Sequence, residues 1–117
     1  MGTSYIEYKG FGFWSRDNFI ESWIATLIDE IRMSTAPELW QDVLIQNWEA
    51  QVQIDGGSIS LDLDELLSDE MRRDRVRHLA EQAVNRATGS ARRTGELFVA
   101  LLAGNLRTDA SSPINYL

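Results

Sequence analysis

The sequence predicts a mainly helical protein, with about four helices in one compact domain. Three observations support this fold class. The length of 117 residues is close to the commonest size for one domain. The apolar share of 44% and the charged share of 25% are typical of a globular chain and not of a disordered one. Apolar residues also recur at three- and four-residue steps in several segments, which is the pattern of amphipathic helices.

The amino-terminal segment is predicted to be short and extended, and the first helix to follow it. Residues 5–8 alternate and favour a strand, and Gly10 and Gly12 oppose a stable helix. From Ser15 onward the period changes to that of a helix, for which Ser15 or Asp17 is the predicted cap. The apolar stripe of this helix comprises Phe19, Ile20, Trp23, Ile24, Leu27, Ile28 and Ile31.

A second helix is predicted to start at the capping box of residues 35–38, with Pro37 in its first turn. Gly56 and Gly57 end it. The alternation of apolar residues over 52–63 also suits a small hairpin, and of the two a helix followed by a loop is favoured. The predicted buried face of the second helix comprises Leu39, Trp40, Val43, Leu44 and Trp48.

Two further helices are predicted in the second half of the chain. Ser68 is the predicted cap of the third helix, which has two acids in its first turn and continues to Gly89. A shorter, more apolar helix is predicted over Thr94–Ala103. Residues 1–107 therefore form the predicted single helical domain, and residues 108–117, a polar run with a proline, a flexible tail.

Charge is distributed unevenly along the chain, whose net charge is −7. Residues 1–70 carry three basic and fourteen acidic side chains, whereas residues 71–117 carry eight arginines and four acids. Two interpretations stay open. The two halves can neutralise one another at the surface, or an acidic face can attract a basic partner and accelerate its encounter.

Several classes of function are disfavoured by what the sequence lacks. Without cysteine, the chain has no disulfide, no thiolate nucleophile and no sulfur-based zinc site. Neither a signal peptide nor a membrane span is predicted, so a cytoplasmic location without membrane contact is expected. The single histidine, His78, lies among arginines, and no glycine-flanked serine elbow accompanies it. We therefore expect no enzyme activity.

Two charged clusters are predicted to have structural roles. Asp62, Asp64 and Glu65 lack the spacing and central glycine of a calcium loop, so no metal and no cofactor is expected. The arginine-rich strip is interleaved with acids in a chain that is acidic overall, so no nucleic acid is expected to bind. Its arginines are predicted to pair with acids of the first two helices or with an acidic partner. The strip comprises Arg72, Arg73, Arg75 and Arg77, with Arg86, Arg92 and Arg93 further along the chain.

The candidate partner-binding residues lie in the first half of the chain. Acids of the first two helices are predicted to face a basic protein partner. The aromatic run before the first helix is predicted to be partly exposed, because aromatic side chains often anchor interfaces. These candidates are Asp17, Glu21, Asp29, Glu30, Glu38, Asp42, Tyr8, Phe11 and Phe13.

Two resemblances bear on function. The run Phe11-Gly12-Phe13-Trp14-Ser15 before a tryptophan-containing helix, followed by the acidic residues 60–70 and an arginine-rich helix, resembles an uncharacterised family of small bacterial proteins. In size, acidity and lack of cysteine the chain also resembles bacterial immunity proteins, which bind and block a cognate toxin, often a basic nuclease. Immunity proteins share no residue signature, so this resemblance assigns no site residue.

The expected function is therefore that of a protein-binding module, an immunity or toxin-inhibitor protein with an acidic surface. One alternative is a structural or regulatory homo-oligomer, such as a homodimer, that buries the last helix and the aromatic run between copies. The other is a hydrolase that uses carboxylates alone, although nothing in the sequence selects a pair of acids.

Overall fold

The chain begins as a β-hairpin, within the segment that the sequence predicts to be extended. Strand β1 spans Thr3–Tyr8 and pairs antiparallel with strand β2, Phe11–Arg16. Lys9 and Gly10 form the two-residue turn, with φ of 51° and 86°. Two positive φ values match the twist of a tight hairpin, and glycine adopts them without strain. The computed structural model describes residues 2–34, 38–52 and 59–107.

The two faces of the hairpin have different roles. Ile6 and Phe13 are cross-strand partners on the inner face and are almost fully buried against the helices. Tyr5 and Trp14 are cross-strand partners on the outer face, with ring centroids 5.2 Å apart. The alternation of a strand therefore places one row of aromatic side chains in the core and another at its edge.

Helix α1 spans Asp17–Met33 and confirms the first predicted helix, but neither predicted cap is correct. Arg16 occupies the cap position, and its side chain makes no capping bond. Ser15 is buried in β2, and Asp17 accepts a hydrogen bond from the hydroxyl of Ser4 at 2.6 Å. The helix starts directly from the strand, so no loop residue is free to cap it. Its buried residues are Ile20, Trp23, Ile24, Leu27, Ile28 and Ile31.

Helix α2 spans Leu39–Val52, and its buried face overlaps the predicted one only in part: Leu44 and Trp48 are buried as predicted, and Trp40 is partly buried against the core. Leu39 is 80% exposed and Val43 52% exposed. The apolar residues of this helix form two overlapping stripes that share Leu44 and Trp48, so periodicity alone does not choose between them. The capping-box residues 35–37 lie outside the described residues. The buried residues of α2 are Gln41, Leu44, Ile45 and Trp48.

The segment 52–63, for which a hairpin and a loop compete, is only partly described. Val52 is the last residue of α2, and residues 59–62 have no strand pairing. Residues 53–58 lie outside the described residues, as does the predicted tail, 108–117. The described flanks of the segment are therefore a helix end and a loop.

Three helices complete the described fold. A single turn, α3, spans Leu63–Leu66, and α4 spans Glu70–Val84. The cap of α4 is Asp69 and not the predicted Ser68, because the Asp69 side chain accepts a hydrogen bond from the N–H of Met71 at 2.7 Å. Helix α5 spans Gly89–Leu102 and so begins five residues before the predicted Thr94.

The core is centred on α1, which packs against α2, α4, α5 and β2. Aromatic rings join the helices at its centre. The Phe98 ring of α5 lies 5.7 Å from the Trp23 ring of α1 and 6.2 Å from the Trp48 ring of α2, measured between centroids. The architecture is mainly α, as predicted, with the small hairpin packed on one side. None of the helices within the described residues has the length and apolar character needed to cross a membrane.

Candidate binding surfaces

Four of the six predicted partner-binding acids are exposed, and three of these, all but Glu38, have no hydrogen-bond or ion-pair partner among the described residues. Glu21 and Asp29 lie on the exposed side of α1, and Asp42 on that of α2. Within the described residues, no lysine or arginine lies within ion-pair distance of these three side chains. Their negative charges therefore remain at the surface.

The other three predicted acids have partners within the chain. Glu30 accepts a hydrogen bond from Arg86 at 2.9 Å and is only 14% exposed. Asp17 accepts from Ser4, as described above, and Glu38 accepts from the indole N–H of Trp40. Of the six, Glu30 is the acid that an arginine of the second half neutralises.

The aromatic run is partly exposed, as predicted, but two of its three predicted anchors are buried. Phe13 has no exposed surface, and Tyr8 is 4% exposed with its hydroxyl donating to the carbonyl of Leu67 at 2.9 Å. Phe11, at the end of the hairpin, is 37% exposed. Phe11 is therefore the one predicted anchor whose ring can contact a partner without unfolding.

Helix α2 presents a mixed apolar and acidic surface, which we call the outer face of α2. Leu39, Asp42, Val43 and Gln46 are exposed and follow one another at helical spacing. Two of them are apolar side chains that remain largely in contact with water. Exposed apolar side chains that lie next to one another are found at contact surfaces between proteins.

A second surface, which we call the acidic depression, lies between the hairpin and the loop that follows α2. Its volume is about 260 Å³. No lysine or arginine of the described part of the chain lines it. The four acids that line it are Glu7 of β1 with Asp62, Asp64 and Glu65.

Hydrogen bonds to α2 hold the loop of the acidic depression in place. The buried indole N–H of Trp48 donates to the carbonyl of Leu61 at 2.8 Å. Asn47 donates to the Asp62 carboxylate at 3.4 Å, and Gln51 accepts from the N–H of Ser60 at 3.2 Å. The depression therefore lies along the edge of α2, beside the outer face of that helix.

The hairpin turn fixes the other side of the depression. The backbone N–H of Lys9 donates to the Asp64 carboxylate at 2.8 Å. Asp62 adopts a left-handed conformation with φ of 49°, a region that aspartate tolerates better than most residues. Among the described residues, no group of three or more histidine, aspartate or glutamate side chains is arranged to hold a metal ion.

A third surface, which we call the basic groove, lies on the opposite face of the hairpin. It has a volume of about 400 Å³ and runs between the hairpin turn, α4 and the end of α5. Four basic side chains and one acidic side chain line it, together with apolar residues of the hairpin and α5. The charged lining residues are Lys9, Arg73, Asp74, Arg77 and Arg107.

The four cations of the basic groove fall into two kinds. Arg73 is bound to Asp74 at 3.1 Å and Arg77 to Glu81 at 2.7 Å. The hydrogen bond to Asp74 raises the pKa of Arg73 above its ordinary value. Lys9 and Arg107 have no carboxylate within ion-pair distance among the described residues.

Sequence reasoning did not select the acids of the acidic depression. Residues 62, 64 and 65 were expected to be acids of a turn and of a helix entry, and Glu7 was not singled out. Nothing in the local pattern shows that β1 approaches residues 60–65, because these segments are more than fifty residues apart. No protein-family model, curated protein or solved structure matches this chain.

Proposed function

We propose that this protein binds a basic protein partner, in the manner of an immunity or inhibitor protein, and does not act by catalysis. The observation that carries the proposal is the acidic depression, which acids from two separate segments line, with no lysine or arginine among the described lining residues. Like charges close to one another repel. A cationic surface would relieve the repulsion, so the depression favours a basic partner.

The outer face of α2 adds exposed apolar area to the charges of the acidic depression. Stable interfaces combine a desolvated apolar centre with a polar rim. Leu39 and Val43 provide exposed apolar area, and Asp42 lies between them on the same helix face. Because the loop of the acidic depression is bonded to the edge of α2, the apolar and acidic parts can contact one partner together.

Electrostatic attraction predicts a specific kinetic behaviour. Exposed charges of opposite sign accelerate encounter, and salt screens this effect. The association rate with a basic partner should therefore fall as ionic strength rises. The remaining negative charges of Glu21, Asp29 and Asp42 add to the same field, because no arginine of the described chain neutralises them.

The test compares two charge-matched variants. In Glu7→Gln/Glu65→Gln, two carboxylates of the acidic depression that accept no hydrogen bond within the described residues are neutralised. In the control, Glu70→Gln/Glu96→Gln, two exposed acids that neither line the depression nor form an ion pair within the described residues are neutralised. Immobilised wild type and both variants are exposed to a lysate of the native host, captured proteins are identified, and association rates are measured with the purified partner at several ionic strengths.

We expect a basic protein whose association with the wild type slows with added salt, by about tenfold or more over the accessible range. The depression variant should slow association at low salt by several-fold, and the control should have a much smaller effect. Three results would each contradict the proposal. The first is that no basic protein is captured. The second is an association rate that does not change with ionic strength. The third is that both variants change the association rate equally.

A further inference from the structure

The basic groove is unusual for a protein of net charge −7, and the acidic partner-binding surfaces do not include it. It lies on the opposite face of the hairpin from the acidic depression, because Tyr8 lines the groove whereas Tyr5 and Glu7 line the depression. Alternate residues of a strand point to opposite faces of a sheet. A ligand of the groove would therefore not compete directly with a partner in the depression.

Two cations of the groove are held in position, and no carboxylate of residues 2–34, 38–52 and 59–107 neutralises them. The Lys9 ammonium lies 5.4 Å from the centroid of the Tyr8 ring, and the Arg107 guanidinium lies 5.8 Å from that of the Phe11 ring. Tyr8 and Phe11 are cross-strand partners next to the hairpin turn. Cation–π contacts orient a charge but leave its hydrogen-bond donors available, so both cations can donate to an anion.

Local backbone structure brings both cations to the groove. Lys9 occupies the hairpin turn with φ of 51°. At the other side, Gly104 ends α5 with φ of 78°, and the N–H groups of Asn105 and Leu106 bond to the carbonyl of Ala100. This termination is the Schellman type, which reverses the chain direction and turns Arg107 back toward the hairpin.

The floor of the groove is apolar. Leu101, Leu102 and Leu106 contribute to it beside the Tyr8 and Phe11 rings. The volume of about 400 Å³ is within the range of small-molecule sites, which combine an apolar lining with a few placed polar groups. A ligand that satisfies both parts needs a negative head and an apolar body.

We propose that the basic groove is a binding site for a small amphipathic anion, with a phosphate, sulfonate or carboxylate head held by Lys9 and Arg107. Its apolar body lies on Leu106 and the Phe11 ring, which are partly exposed, above the buried Leu101 and Leu102. Nucleic acid is a poorer match, because the acidic chain repels a polyanion at long range and the groove has an apolar floor. This site is independent of the proposed binding of a basic protein.

Octyl phosphate, below its micellar concentration, is the test ligand. Binding to the full chain is measured by titration calorimetry, and the site is located by amide chemical-shift changes. Inorganic phosphate carries the head without the apolar body, and octanol carries the body without the charge. We expect octyl phosphate to bind at least about tenfold more tightly than either, with the largest shifts at Phe11, Leu106 and Arg107.

Two charge-matched variants test the role of the cations. Lys9→Gln/Arg107→Gln should weaken octyl phosphate by about tenfold or more. Arg92→Gln/Arg93→Gln removes two exposed arginines of α5 that do not line the groove, and it should change the affinity by less than about twofold. Far-ultraviolet circular dichroism checks that each variant is folded.

Several outcomes would overturn the proposal. Equal binding of inorganic phosphate and octyl phosphate would show that the apolar floor contributes nothing. Equal weakening by the two variants would show attraction by net charge alone. Tighter binding of a short single-stranded oligonucleotide than of octyl phosphate would identify a nucleic-acid surface. Dimerisation of the wild type, lost in Lys9→Gln/Arg107→Gln and insensitive to octyl phosphate, would assign the groove to a second copy.

Discussion

At the scale of single residues, the packing of α5 on α1 depends on the absence of one side chain. Gly95 is buried within α5, and a Cβ placed on it would lie 2.5 Å from Cζ3 of Trp23. The Trp23 side chain is 1% exposed and also contacts Phe98, so it has little room to move. Gly95 therefore lets the helix backbone approach the indole ring closely.

The variant Gly95→Ala tests this contact between α5 and the Trp23 ring. In an exposed helix interior, replacing glycine with alanine stabilises by about 1 kcal/mol. At Gly95 the added methyl group overlaps the Trp23 ring, so Gly95→Ala should destabilise the protein by about 1–3 kcal/mol. The free energy of unfolding in urea measures the effect. Ser90→Ala, at an exposed position of the same helix, should stay within about 0.5 kcal/mol of wild type.

A gain of stability in Gly95→Ala would show that the indole ring moves aside without cost and that the close approach is not required.

The sequence does not reveal this role of Gly95. A glycine flanked by polar residues indicates a boundary as readily as a packing site. The contact with Trp23 joins residues 72 positions apart, and only the assembled fold shows it.

At the scale of elements, helices with one unambiguous stripe were predicted best. The stripe of α1 is continuous, and six of its seven predicted residues are buried. In α2, apolar residues occur on more than one side, and the tertiary contacts select the face that includes Gln41 and Ile45. The hairpin turn was not predicted because Lys9-Gly10 is not one of the asparagine- or aspartate-glycine pairs that usually identify such turns.

At the start of α4, two adjacent residues, Ser68 and Asp69, are each of a type that can cap a helix. The structure selects Asp69, whose carboxylate accepts from the N–H of Met71 at 2.7 Å. Asp69→Ala should therefore destabilise the protein by about 1 kcal/mol, as loss of a cap usually does. Ser68→Ala should change the free energy of unfolding by less than about 0.5 kcal/mol. Thermal and urea unfolding of the two variants measure the difference, and a larger effect of Ser68→Ala would place the cap where the sequence first indicated it.

At the scale of the whole molecule, the charge asymmetry of the sequence was visible but its arrangement was not. Two arginines of α4, Arg73 and Arg77, bind acids of their own helix, Asp74 and Glu81. Among the described residues, the exposed acids Glu21, Asp29 and Asp42 have no cation within ion-pair distance. The acidic depression and the basic groove each combine the hairpin with a segment more than fifty residues away. Composition shows that both charges are present, but pairing across such separations depends on the fold.

Two ion pairs differ in burial, and we expect them to differ in their contribution to the free energy of unfolding. Arg86 binds Glu30 at 2.9 Å and joins the end of α4 to α1, and the Glu30 side chain is 14% exposed. Arg32 binds Glu49 at 3.2 Å and joins α1 to α2, but the two side chains are 52% and 40% exposed. A carboxylate shielded from water cannot recover hydration when its partner is removed, whereas an exposed one can.

We therefore expect Arg86→Ala to cost about 1–2 kcal/mol of unfolding free energy, and Arg32→Ala less than about 1 kcal/mol. Adding Glu30→Gln to Arg86→Ala should recover part of the loss, because the amide removes the unpaired charge from a site with little water. Adding Glu49→Gln to Arg32→Ala should recover almost nothing. The free energy of unfolding of the four variants in urea measures these differences.

Two outcomes would contradict this expectation: equal costs for the two arginines, or no recovery with Glu30→Gln. Either would show that water reaches Glu30 as freely as it reaches Glu49. The contact between α1 and the end of α4 would then be maintained by apolar packing alone.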